Sequence, residues 1–109
     1  MNRKEEYLMS IVAATVEVCS MTVDGEKILT KEELLGESRR PNALMARSMM
    51  ATTILRCGFS KETIARLLKR SERGVCGILK NAIEWHRSSR AYRIAEKELE
   101  DECDKLFCS

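Results

Sequence analysis

The side chains best suited to chemistry in this sequence lie between Gly58 and Asn81. The stretch Gly58-Phe59-Ser60-Lys61-Glu62-Thr63-Ile64-Ala65-Arg66-Leu67-Leu68-Lys69-Arg70-Ser71-Glu72-Arg73-Gly74-Val75 predicts a helix-turn-helix. Ser60 and Ser71 are the types that cap helices, and Lys69-Arg70 make a short turn between them. Small Ala65 lets the two helices approach closely, while Ile64, Leu68, Val75 and Leu79 lock their crossing angle. Glu72, Arg73, Cys76, Gly77, Lys80 and Asn81 then share the face of the second helix away from Val75 and Leu79. That face has the chemistry of duplex recognition. An arginine fork matches the O6 and N7 acceptors of guanine, a lysine meets a phosphate, and an asparagine suits either a base or a phosphate. Gly77 in mid-helix costs helical stability. Either DNA comes close to the backbone there, or another helix packs against it.

Other chemistry has little to work with. His86 is the single histidine and no nucleophile stands in a catalytic motif, so no triad can form and no enzymatic role is expected. His86 beside Trp85 reads as a packing pair. Glu96, Glu98, Glu100, Asp101, Glu102 and Asp104 are too densely strung for a catalytic pair. They read as a solvated helix face or an electrostatic brake on nonspecific binding. Cys19, Cys57, Cys76, Cys103 and Cys108 are odd in number and contain no C-x-x-C, so neither a metal nor any other cofactor is expected. Buried reduced thiols account for most of them, although Cys103 and Cys108 near the acidic end are open to the alternative of exposed, reactive thiols.

The elements that must position these residues are all helical. With 44% hydrophobic residues, 5% aromatic, five glycines and one proline in 109 residues, the core must be built from Leu, Ile, Val, Met and Ala in long helices. A first helix is expected from about Lys4 to Cys19, with Tyr7, Leu8, Ile11, Val12, Thr15, Val16 and Cys19 as its apolar stripe. Val23-Asp24-Gly25-Glu26 reads as a turn. Thr30 and Glu33 form a capping box over a short helix that Gly36 ends. Pro41 makes Glu37 to Asn42 an extended basic loop. Asn42 is expected to cap a third helix through about Cys57, with Leu44, Met45, Met49, Met50, Ile54 and Leu55 in the core. After the helix-turn-helix, whose second helix is expected to run on through Trp85, a tail from about 88 to 109 carries Tyr92, Ala95, Leu99, Cys103 and Leu106 as a stripe. The sum is a single domain over 1–109, all-α, with five or six helices.

A net charge of +2 conceals segregation. Residues 1–37 hold four basic and eight acidic side chains, and residues 74–109 hold six and seven. Residues 38–73 hold nine basic (Arg39, Arg40, Arg47, Arg56, Lys61, Arg66, Lys69, Arg70, Arg73) against Glu62 and Glu72. A charge run is ordinarily a solvated face. Here the excess falls across two helix starts and the turn between them, where a phosphate backbone would be met. No stretch approaches the roughly 18 consecutive apolar residues of a membrane span. The N-terminus lacks the pattern of a signal peptide, so a soluble cytoplasmic chain is expected.

Leu34-Leu35-Gly36-Glu37-Ser38-Arg39-Arg40, followed by Ala43-Leu44-Met45-Ala46-Arg47-Ser48-Met49-Met50-Ala51 and the helix-turn-helix, resembles the C-terminal DNA-binding domain of the bacterial replication initiator DnaA. The likeness runs over about 7–106. It implies that Arg39, with Arg40 beside it, enters or flanks the minor groove, and that Arg47 contacts DNA. Ser48 stands where the family usually has glutamine. The family's Asp-His-Thr-Thr at the start of the recognition helix is replaced by Ser71-Glu72-Arg73-Gly74, which implies a different site or binding mainly through the backbone. No G-x-x-x-x-G-K-[ST] loop is present, so no nucleotide is expected.

The resulting expectation is a stand-alone, nucleoid-associated DNA-binding accessory or regulator of replication or transcription. Ser71, Glu72, Arg73, Gly74, Gly77 and Lys80 face the major groove, and Arg47, Lys61, Lys69 and Arg70 hold phosphates. The alternative is a protein-interaction module that docks a partner through the acidic C-terminal helix or the Met-rich third helix. RNA is a weaker fit, because aromatics for stacking are scarce.

Overall fold

Six helices account for nearly all of the chain in the computed structural model, which describes residues 3–22 and 29–108. They are α1 (Arg3–Thr22), α2 (Lys31–Leu35), α3 (Pro41–Arg56), α4 (Lys61–Leu68), α5 (Glu72–Ser88) and α6 (Arg90–Cys108). No strand occurs among the described residues, so the architecture is all-α. The turn expected at 23–26 lies outside them.

α3 is the axis of the molecule, because it packs against each of the other five helices. Its composition explains why. Ala43, Ala46 and Ala51 let neighbours come close, while Met49, Met50 and Ile54 fill the space and are fully buried. α1 contributes Ile11, Val12, Val18 and Cys19 to the same core, and α6 contributes Tyr92, Ala95, Leu99 and Cys103. Each such large apolar side chain contributes roughly 1.5–3 kcal/mol of transfer free energy. The acidic tail is therefore a structural helix, docked on α1, α3 and α5.

Several details depart from the sequence pattern. Asn42 does not cap α3: Arg40 is the N-cap residue in an extended conformation and Pro41 takes the first helical position, where a missing N–H costs nothing. Leu44 and Leu55 are exposed rather than core, and so is Leu106 at the end of α6. Within the Met-rich helix, Met49 and Met50 are sealed inside, so the apolar side chains it leaves at the surface are Leu44 and Leu55. Trp85 stacks on Tyr92, with ring centroids 6.4 Å apart. His86 is largely exposed and its Nδ1 lies 3.0 Å from Glu96 Oε1. Glu96 is buried, which removes it from the solvated acidic face. α1 and α5 each run about a turn past their expected ends.

The thiols follow burial. No disulfide forms among the described residues. Burial pushes the Cys19 thiol up to about 12 from an ordinary 9.0. Cys103 rises to about 11, chiefly by burial and then by neighbouring Cys57, Asp104 and Glu102. Cys103 is thus a core residue and not an exposed, reactive one. The side chain of Cys108 lies outside the described residues. No helix among the described residues is long and apolar enough to cross a membrane.

Candidate nucleic-acid interface

α4 and α5 form the hairpin that the sequence pattern requires, and each is started by a serine. Ser60 Oγ accepts from Thr63 N at 3.2 Å, and Ser71 Oγ accepts from Gly74 N at 3.1 Å. Between them the chain turns over three residues, Lys69 to Ser71. Lys69 takes the left-handed conformation (φ 54, ψ 47). Its N–H donates to Arg66 O at 3.3 Å and Arg70 N–H donates to Ala65 O at 2.9 Å. That pair of bonds closes a helix and turns the chain sharply. Ile64, Ala65 and Leu68 of α4 and Val75 of α5 are buried in one core cluster, and the two helices pack against each other. Val75 and Ala82 fix the inner face of α5. Its outer face then presents Glu72, Arg73, Gly77, Lys80 and Asn81, all exposed, with Cys76 half-buried. From α4, Lys61 Nζ reaches to 3.8 Å from Cys76 Sγ, which joins the start of α4 to the same surface.

The basic loop is held beside this hairpin by a buried arginine. Arg47 is only 2% exposed. Its Nε donates to Leu34 O at 3.0 Å, its Nη2 to Glu33 O at 2.8 Å and its Nη1 to Ser38 O at 3.2 Å. The three carbonyls are the end of α2 and the first part of the loop, so one guanidinium satisfies orphan acceptors and fixes the loop's path. Gly36 opens that loop because a Cβ there would fall 2.6 Å from Glu32 O. Arg40 is also drawn inward: its Nη1 donates to Glu33 Oε2 at 2.6 Å. Arg70 crosses from the turn of the hairpin and donates through Nη2 to Gly36 O at 3.0 Å.

Glu37, Ser38, Arg39, Leu44, Arg47 and Arg70 thereby line one cleft of about 330 Å³. Its electrostatics are unbalanced. Burial, and then the positive charge of Arg70, lower the pKa of Arg47 from its ordinary 12.5. Nη1 of Arg70 is buried with no hydrogen-bond partner among the described residues, and so is Nη2 of Arg40. A buried guanidinium N–H without an acceptor is costly. An oxyanion in the cleft would offset the repulsion between Arg47 and Arg70.

The expected residues therefore divide. Arg39, Lys61, Lys69, Ser71, Glu72, Arg73, Gly77 and Lys80 are exposed, and Gly74 is partly so. Arg70 is half in reach, lining the cleft while bracing the loop. Arg47 and Ser48 are buried, which corrects the expectation that they meet DNA directly. Arg47 supports the loop through its three carbonyls, and Ser48 is packed inside α3. Arg40 is paired with Glu33 while its side chain stays 38% exposed. Glu37 was not anticipated in the cleft. Its place next to Ser38-Arg39 in the chain was the available signal.

Among the described residues no group of His, Cys, Asp or Glu is placed to hold a metal ion. Comparison with known proteins gives no further guide: no family model, no curated protein and no solved structure matches this chain.

Proposed function

We propose that the chain binds double-stranded DNA, with α5 in the major groove and the basic loop, led by Arg39, at the adjacent minor groove. The reading takes the chain as a stand-alone DnaA-type helix-turn-helix domain that acts on replication or transcription by occupying sites in the nucleoid. The observation that carries it is the cleft lined by Arg39, Arg47 and Arg70, set beside the N-terminus of α5, where Arg70 precedes the capping Ser71. A sugar–phosphate backbone seated there would leave Arg73 on a groove edge and Lys61, Lys69 and Lys80 near neighbouring phosphates. The reading contains no catalytic step, nucleotide or metal.

Fluorescence anisotropy tests it, using the purified chain against a duplex bearing the site of the DnaA family and a scrambled duplex. Preference for the first means that Ser71-Glu72-Arg73-Gly74 keeps the family's specificity, and equal binding means that backbone contacts dominate. Charge reversal at Arg39 and Arg73 together abolishes binding on this reading, and unchanged affinity would sink it.

A second reading has its own observation. A groove of about 400 Å³ between α3, α5 and α6 is floored by Leu55, Leu79, Ala82 and Ile83, and Ile83 is 60% exposed. Such a groove suits a protein partner. Failure to bind either duplex at low salt would favour it.

A further inference from the structure

We propose that Gly77 is the point where a DNA duplex comes against the backbone of α5, so that the missing side chain sets how deeply the helix enters the groove. The proposal rests on the DNA-binding reading above and specifies a positioning residue within it.

The internal reasons for a glycine fail one by one. Gly77 lies in the middle of a 17-residue helix, where glycine is the poorest choice short of proline. Its backbone does not require it, since the positive-φ residues among the described ones are Gly58 and Lys69. Packing does not require it either. A Cβ built at Gly77 meets no heavy atom within 4 Å, in contrast to Gly36, where it would collide with the Glu32 carbonyl. The helix-packing explanation open from sequence alone is thereby removed. What remains is something outside the chain.

The surroundings indicate its chemistry. Arg73 stands one turn before Gly77 and Lys80 about one turn after, both exposed. Lys61 lies against the neighbouring Cys76 Sγ from across the hairpin. Three cations therefore surround a bare stretch of backbone. A polyanion of fixed shape is the fitting partner. The major groove is about 12 Å wide, and a helix with its side chains is about 10–12 Å across, so a helix enters with little clearance. Removing one side chain from the leading face lets α5 sit deeper and brings Arg73 to base edges. Gly77 offers no donor or acceptor of its own, so it controls depth while the neighbouring side chains read.

The test uses the full chain and its Gly77→Ala and Gly77→Met variants. Thermal unfolding reads stability, and anisotropy reads affinity for a short duplex selected by the wild-type chain from a random pool. Gly77→Ala should raise Tm by about 4 °C, because alanine is the better helix former and has room. It should weaken duplex binding by about tenfold, as the base contacts of Arg73 are pushed out of reach. Gly77→Met, also a good helix former, should weaken it further. A lower Tm in Gly77→Ala would show an internal need for glycine and overturn the proposal. So would full affinity in both variants while the wild-type chain binds, with the DNA reading left intact. If the wild-type chain selects and binds no duplex at low salt, the DNA reading fails and this proposal fails with it.

Discussion

Arg47 holds a permanent charge inside the protein because three backbone carbonyls converge on it, and that makes it the residue on which the basic loop depends. Its partners are Glu33, Leu34 and Ser38, nine to fourteen positions earlier in the chain. Removing the guanidinium leaves all three acceptors stranded, two of them at the end of a five-residue helix that cannot hold itself. Arg47→Leu should therefore destabilise the fold by about 2–4 kcal/mol in urea unfolding. Arg47→Lys should recover little, because a single ammonium cannot span three carbonyls that a planar fork reaches. A loss below about 0.5 kcal/mol in either variant, the range of an ordinary surface change, would mean that the clamp contributes nothing. This role was not legible in the sequence. Carbonyls carry no residue signature, so an arginine among cations reads as a phosphate ligand until its depth is known. The same blindness applies to Arg40, whose partner Glu33 had been assigned only to a capping box.

Helix ends, in contrast, were legible, because caps are made by neighbours in sequence. Thr30, Ser60 and Ser71 cap as their types predict, and Gly36 and Gly58 end their helices. The exception is α3, where Asn42 looked like a cap but Pro41 already occupied the first turn. The ends of α3 and α4 are built alike, with a six-to-one bond (Phe59 N to Ile54 O; Arg70 N to Ala65 O) around a left-handed residue. α3 uses Gly58 there, and α4 uses Lys69. A side chain in that conformation costs roughly 1 kcal/mol that glycine does not. Lys69→Gly should accordingly stabilise the chain by about 0.5–1 kcal/mol, read as a higher urea midpoint. On the DNA reading it should also weaken duplex binding, since a cation leaves the turn between α4 and α5. Stabilisation with no change in binding would show that Lys69 touches no phosphate, and a fall in stability would show that the lysine side chain holds the turn.

At the scale of the whole molecule, charge is sorted by position more than by amount. The sequence shows nine cations against two acids over 38–73, and the fold divides those cations by depth. Arg47 is sealed inside, Arg40 and Arg56 are tied to Glu33 and Glu100, and Arg66 faces Glu62 on its own helix. Arg39, Lys61, Lys69 and Arg73 remain exposed, with Lys80 about two turns farther along α5, and none of the five has an ion pair among the described residues. This partition gives the DNA reading a number. Each phosphate neutralised on B-form DNA lowers log K by about 0.9 per decade of salt. Five engaged cations give a slope of about −4.5, and Arg70 in its cleft would bring it to about −5.4. Counting all nine cations of the segment would instead give about −8. A salt titration of duplex binding should thus return a slope near −5. Arg39→Gln or Lys80→Gln should each reduce its magnitude by about one. Arg47→Lys, in whatever fraction stays folded, should leave it unchanged, because that charge is not at the surface. A slope near zero would remove phosphate contact as the basis of binding and turn attention to the apolar groove at Ile83.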